Sequence, residues 1–449
     1  MYSSVLQQQY ASENANGGRA VDTPTQANSL QAIIDPRFDA LVNRAKVLRR
    51  SNQIRSETSI DISSPNGSSA AQLDSALERV DKRQLLSPTW KHRLQGLLIG
   101  LLVTAISVGT ILAVLLTRSS SSSTLTSTLS SCTTLQWNAI GTTVIGNGSN
   151  GSSLNQLNGP TGIFVHTDDS IYIADTSNHR VLRVSLGSNG TNNVTVVAGI
   201  TGMSTVSSTT LNNPRAVYVD SNQNLYVVDT DNFRVQLWPY GASNSSTVAG
   251  SSTGVPGSTL DKLGYSFALY VDTAKNVYVS DASFGRVVKW SSGASTGVLV
   301  AGSGSSGYSS SQLNFPLGIT VDSNNNTLYI ADFQSHTIIS WPVGTTTGTI
   351  IAGLNATSGS IASLLYAPWG IIRDTYGNLY VSDYGNHRIQ FYCSNGSSFS
   401  SGTTIAGMGT AQLSSRGLNR PTGLAFDSQM NLYVVDYGNH RVQKFLRTN

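Results

Sequence analysis

NLYVVDYGNHRVQKF stands at 431–445, and NLYVSDYGNHRIQFY at 378–392. Each stretch holds two short runs of apolar, β-branched and aromatic residues on either side of a turn built from Tyr, Gly, Asn and His. That composition predicts two strands joined by a tight hairpin. The same unit echoes four times upstream, so it is one part of a repeat. Six second-strand runs align: SIYIAD, NLYVVD, NVYVSD, TLYIAD, NLYVSD and NLYVVD. Their closing aspartates are Asp175, Asp229, Asp281, Asp332, Asp383 and Asp436, spaced 51–54 residues apart.

Each of these runs is preceded by another: LNGPTGIFV, LNNPRAVYV, LGYSFALYV, LNFPLGITV, LLYAPWGII and LNRPTGLAF. A third run follows, HRVLRV in the first copy and HRVQKF in the last. Five copies then end on a fourth, VVAG, TVAG, LVAG, IIAG or TIAG. Four short antiparallel strands per repeat of about 50 residues is the plan of a β-propeller blade. The sixth copy lacks its fourth strand, and TTVIG (142–146) lies just ahead of the first copy. A ring closes if this N-terminal strand completes the last blade, which also removes the sheet edges that invite aggregation. The expected fold is all-β, a six-bladed propeller over 137–449.

The pattern P-x-G-(I/L)-x-V-D, then N-L-Y-V-x-D-x-x-N-H-R-(I/V)-Q, then T-(V/I)-A-G resembles the NHL-repeat family of six-bladed propellers. The resemblance spans 137–446 and is strongest in blades 5 and 6. Blade 3 departs from it, with Ser266 in place of Pro and SFGR in place of the Asn-His-Arg element. Blade 4 carries an extra residue and has Thr337 where the others have Arg. The resemblance implies two kinds of role: rigid binding heads, as in teneurins and bacterial receptor kinases, and zinc enzymes such as the peptidyl-α-hydroxyglycine α-amidating lyases. No RING or B-box cysteine pattern accompanies the repeats, so ubiquitin-ligase activity of the tripartite-motif kind is not implied.

Five of the repeat aspartates are followed five residues later by an arginine: Asp175/Arg180, Asp229/Arg234, Asp281/Arg286, Asp383/Arg388 and Asp436/Arg441. A tight turn brings each pair face to face, where the carboxylate can take turn N–H groups and the guanidinium together. A device present in five blades predicts structure, because an active site needs one copy. His179, His336, His387 and His440 share one slot of the same turn, at the rim of a face rather than on the channel wall. Of the aspartates beyond 118, only Asp168, Asp169, Asp231 and Asp261 fall outside repeat positions, and no Glu follows Glu78. No catalytic residue, metal ligand or cofactor site is therefore assigned. The alternative is an enzyme with a metal in the channel, of the amidating-lyase or lactonase kind, which needs three or more converging ligands.

Residues 96–117, GLLIGLLVTAISVGTILAVLLT, carry no charge and span roughly 32 Å as a helix, enough for a bilayer core. Arg79, Lys82, Arg83, Lys91 and Arg93 lie upstream and only Arg118 directly downstream. The positive-inside rule then places residues 1–95 in the cytoplasm and the propeller outside or in a lumen, a single-pass type II topology. The Ser/Gln/Asn-rich composition of 1–95 predicts a largely disordered tail, and 118–136 reads as a Ser/Thr-rich stalk. Positive and negative residues balance beyond 118, which argues against nucleic acid as a partner.

Both cysteines, Cys132 and Cys393, lie on the far side of the predicted span, where disulfides persist. Cys393 follows the third strand of blade 5, and Cys132 precedes the strand that completes blade 6, so a bridge between them would clamp the stalk to the ring. Eight Asn-X-Ser/Thr acceptors fall on the same side: Asn147, Asn150, Asn189, Asn193, Asn244, Asn325, Asn355 and Asn395. The expected role is a non-catalytic adhesion or sensor module that binds a protein, peptide or glycan on one face of a rigid ring.

Overall fold

The computed structural model describes residues 136–187, 192–396 and 398–448. The predicted tail (1–95), span (96–117) and most of the stalk, with Cys132 and Asn189, lie outside the described residues. Among the described residues no helix is long and apolar enough to cross a membrane.

Six four-stranded antiparallel sheets make up the fold. Strand β1 (Thr142–Gly146) comes first in the chain. Blade 1 is β2 (Ile163–Val165), β3 (Ile171–Asp175), β4 (Arg180–Ser185) and β5 (Asn193–Gly199). Blade 2 is β6 (Pro214–Val219), β7 (Leu225–Asp229), β8 (Arg234–Trp238) and β9 (Ser246–Gly250). Blade 3 is β10 (Ser266–Val271), β11 (Val277–Asp281), β12 (Arg286–Trp290) and β13 (Val298–Gly302). Blade 4 is β14 (Pro316–Asp322), β15 (Thr327–Asp332), β16 (Thr337–Pro342) and β17 (Thr349–Gly353). Blade 5 is β18 (Pro368–Arg373), β19 (Leu379–Asp383), β20 (Arg388–Tyr392) and β21 (Thr403–Gly407). Blade 6 is β22 (Pro421–Phe426), β23 (Leu432–Asp436) and β24 (Arg441–Phe445), completed by β1.

Burial explains the composition of each strand. The second strand of every blade is buried at all its positions, because both faces of the sheet meet neighbouring blades. Such a strand has no polar face, hence runs such as LYVVD without alternation. The fourth strands start with exposed residues and bury chiefly their alanine, so they read as weaker runs. Ser266 in place of Pro leaves blade 3 intact: β10 pairs with β11 through the same bulged register as in blade 2.

The ring closes where the sequence predicts. β1 pairs antiparallel with β24, Thr142 opposite Lys444 and Gly146 opposite Arg441. Gly146 does what the last glycine of every fourth strand does. It has φ +88°, and an added Cβ would drive into the His440 carbonyl oxygen, as one at Gly199 would meet that of His179. Only glycine fits so close to the turn of the third strand. Further out, Trp137 pairs with Arg447 and packs its ring on Tyr380 at 5.3 Å, between blades 5 and 6. The inner strands of blades 6 and 1 meet through Gly423, whose N–H donates to the Thr161 carbonyl at 2.9 Å.

Candidate functional site: an aromatic mouth over the ring axis

The five predicted Asp/Arg pairs form, and each does the same mechanical work. Asp383 shows the pattern. Its Oδ1 accepts the Tyr366 N–H at 2.7 Å, and its Oδ2 accepts Asn386 Nδ2 and Arg388 Nε, both at 2.8 Å. Arg388 then donates to the carbonyls of Ser360, Ile361 and Leu364, in the loop that leads into the blade. Asp175, Asp229, Asp281 and Asp436 bind Arg180, Arg234, Arg286 and Arg441 at 2.7–2.9 Å, with every carboxylate fully buried. A buried ion pair of this kind holds only because the remaining lone pairs and N–H groups are also matched. The cluster ties the hairpin between second and third strands to the incoming loop.

The four histidines are joints between blades. Each follows a 3₁₀ turn or its equivalent with φ between 47° and 59°, a left-handed position that closes the hairpin. Nδ1 of His179, His336, His387 and His440 accepts the backbone N–H of Asn213, Ala367, Arg420 and Gly159, respectively, at 3.0–3.1 Å. Every acceptor lies in one blade and its donor in the next, and the His440 joint spans the ring closure. Burial holds all four imidazoles below their usual range, which keeps the acceptor nitrogen unprotonated. Blade 2 has Phe233 in the slot, and its ring packs on Tyr265 of blade 3 at 5.2 Å instead.

The side chains that differ from blade to blade gather on the same face, at the mouth of the central channel. Three slots supply them: the residue before the inner strand, the residue after its first position, and the residue after the repeat aspartate. Among the residues in these slots of blades 3–6 are six clustered aromatics, Phe267, Phe315, Phe333, Trp369, Tyr384 and Tyr437. Trp369 is the hub, 5.7 Å from Phe267, 5.9 Å from Phe333 and 5.3 Å from Tyr384. Phe315 lies 5.4 Å from Phe267, and Tyr437 lies 6.4 Å from Tyr384. Phe267 and Trp369 belong to blades 3 and 5, so the rings meet above the buried Leu317 of blade 4. Trp369 is buried and the other five are half-buried, so part of each remains in reach of solvent.

Two guanidinium groups border this platform. Arg215 stands 4.8 Å over the Phe267 ring and Arg420 5.8 Å over Tyr384, both within cation–π range. In blades 1 and 2 the slots include Thr161 and Thr230, both buried. Thr161 donates to the Arg215 carbonyl, and Thr230 donates to that of Ser266. The mouth is therefore aromatic over blades 3–6, with guanidinium groups from blades 2 and 6 beside the rings. Below it a cavity of about 320 Å³ is walled by all six inner strands.

Three of the six blades match the NHL repeat. The NHL repeat family matches residues 157–183, 211–237 and 418–445, the hairpins of blades 1, 2 and 6. Blades 3, 4 and 5 fall outside the matched stretches, blade 5 in spite of its near identity to blade 6. Against curated proteins the sequence finds no match. Among solved structures it is similar to a Bacteroides thetaiotaomicron protein of unknown function, at 14% identity and TM-score 0.54, over 69% of this chain and 76% of that one. An auxiliary nutrient binding protein from the same organism gives 16% identity and TM-score 0.52, over 70% and 78%. A gluconolactonase of Xanthomonas campestris gives 14% and 0.47, over 65% and 87%. At these identities the likeness is one of fold.

The remaining predicted residues of the ring lie apart from the mouth. Asn147, Asn150, Asn193, Asn244, Asn325 and Asn395 are exposed and Asn355 is partly so. Cys393 is buried in the cluster that holds Trp137, Tyr380 and Phe391. Asp220, Asp374 and Asp427 cap turns on the face away from the mouth. In blade 1 His166 takes that slot and binds Asp168 at 3.0 Å. Among the described residues no three His, Cys, Asp or Glu side chains come together to hold a metal. The mouth itself is what sequence reasoning missed. Its signal was present as departures from the repeat, the aromatic residues in slots that elsewhere hold Gly, Ala, Thr, Asn, Leu or Arg.

Proposed function

We propose that the propeller is a non-catalytic binding head, held to a membrane by residues 96–117, that takes a protein, peptide or glycan at the aromatic mouth. The observation that carries this reading is the half-buried ring platform bordered by Arg215 and Arg420. Half-exposed aromatic rings beside guanidinium groups suit a ligand with a flat apolar face and hydrogen-bond acceptors along its edge. Aromatic and arginine side chains are also the types that dominate binding energy at interfaces. A metal-dependent enzyme of the same fold is the competing reading, and it lacks a convergent ligand set among the described residues.

Labelled full-length protein, applied to a glycan array and to a displayed random-peptide library, tests the mouth. The expected hit loses affinity about tenfold or more on Tyr384→Ala or Arg420→Ala, a cost of about 1.4 kcal/mol. Tyr376→Ala, an exposed ring in the turn after β18, should leave it unchanged. Binding indifferent to both mouth variants would overturn the assignment. The type II reading expects the protein to resist alkaline carbonate extraction and to gain mobility on removal of N-linked glycans. Release into the carbonate supernatant without a glycan shift would refute it.

A further inference from the structure

Blade 4 breaks the wiring of the other five blades and leaves a hole. Thr337 stands where Arg180, Arg234, Arg286, Arg388 and Arg441 stand elsewhere, and its buried Oγ1 has no hydrogen-bond partner. Asp332 is still built as in the other blades. It is 1% exposed, and its Oδ1 accepts the Asn314 N–H at 2.8 Å. Its Oδ2, the atom that receives arginine Nε in five blades, has no partner. The carboxylate faces a cavity of about 370 Å³.

The wall of that cavity matches the arginine cradle of the intact blades. In blade 1, Arg180 donates to the carbonyls of Ser152, Ser153 and Gln156. The loop GSSLNQLNGP there aligns with GYSSSQLNFP in blade 4, so the matching carbonyls belong to Tyr308, Ser309 and Gln312. All three residues line the cavity, and the loop turns alike: Gln312 N–H donates to Ser309 O as Gln156 N–H does to Ser153 O. Asn355 Nδ2 reaches the Tyr308 carbonyl at 2.7 Å, which leaves that oxygen one further lone pair. Tyr308 and Ile350 are exposed at the lip, so the cavity can be reached from solvent.

We infer that this cavity is a binding site for a guanidinium group, taken between the unpaired carboxylate of Asp332 and the carbonyls of Tyr308, Ser309 and Gln312. Five intact copies in the same chain define the ligand: a planar cation giving one N–H to Oδ2 and others to the loop carbonyls. An ammonium ion has no such fork and meets fewer of these acceptors. Burial pushes Asp332 up to about 7 against the lowering effects of the neighbouring Ser335 hydroxyl and the Asn314 amide, neither of which supplies a counter-charge. The site is separate from the mouth and independent of its ligand. Its source is either a free guanidino compound or an arginine side chain on another chain.

Calorimetric titration of the full-length protein decides it, with methylguanidine, L-arginine, acetyl-Gly-Arg-Gly-amide, methylamine, potassium and calcium as probes. Methylguanidine should bind saturably and at least about tenfold tighter than methylamine, a gap of one arginine-type hydrogen-bond set. Asp332→Asn should abolish that binding, and so should Thr337→Arg, which supplies the missing side chain from within and should raise the melting temperature. Binding of the arginyl peptide as well would identify a partner's arginine as the occupant; binding of methylguanidine and arginine alone would identify a small molecule. No saturable methylguanidine binding, binding that survives Asp332→Asn, or a preference for potassium or calcium would each overturn the inference. If Thr337→Arg does not fold, Asp332→Asn still decides.

Discussion

At the scale of single residues, the Asp–Asn–His–Arg turn works as a set of bolts, and its parts differ in what their loss exposes. Arg388→Ala would strand the buried Asp383 carboxylate and three loop carbonyls, so a loss of about 3–5 kcal/mol is expected in urea unfolding. Arg388→Met with Asp383→Asn should cost less than that single change, because no charge is left uncompensated. The histidine joints add a pH dependence. Their folded pKa values lie below the ordinary 6.5, so the unfolded chain binds protons first as pH falls. Their stabilisation is complete above 6.5 and drains away as pH drops through the lowered folded values. Denaturation midpoints at pH 7.5 and 5 should therefore separate more in the native protein than in a His179→Phe/His387→Phe variant. Equal separations would show that the joints do not titrate. The Asp/Arg spacing was legible in the sequence, and so was its structural role. The inter-blade hydrogen bond of the histidines was not, since its partner is a backbone amide more than 30 residues away or, for His440, near the other end of the ring.

At the scale of elements, the strands were legible because both faces of each second strand are buried, which leaves unbroken apolar runs bounded by Gly and Asn. The closure by TTVIG was legible for a different reason: the last repeat was one strand short, and only one unassigned run carried the terminal glycine. The mouth was opaque because its six rings come from slots scattered between 267 and 437, and only the ring brings them together. The hole in blade 4 lay between these cases. Thr337 is visible as a departure, whereas an unpaired Oδ2 facing a cavity is a matter of geometry. Removing residues 136–146 should test how far closure supports the whole. It would leave β24 as an open edge and uncover Val442, so a broadened unfolding transition and self-association are expected by calorimetry and light scattering. A monomeric, sharply melting product would mean that the other five blades hold the ring unaided.

At the scale of the molecule, the described residues form one wheel whose two ends are stitched beside each other. Trp137 sits five residues after Cys132, and Trp137 and Cys393 share one buried cluster. A five-residue segment reaches at most about 17 Å, so the proposed Cys132–Cys393 bridge is within the range of the chain. Such a link would constrain the unfolded chain by up to about 5 kcal/mol. Intact protein should then run faster on a non-reducing gel than after reduction, and should melt at a lower temperature once reduced or as Cys132→Ser. Identical mobility and melting would exclude the bridge.

The register of Thr142 against Lys444 also sets an order of events during synthesis. The first strand to leave the ribosome must wait for nearly the last, roughly 15–60 s at ordinary elongation rates. Throughout that interval β1 is a short unpaired ribbon, and the nascent blades have no seal. Chaperones that recognise bare strand edges would find their substrate here, and a stop codon at Arg441 would leave that ribbon permanently without a mate.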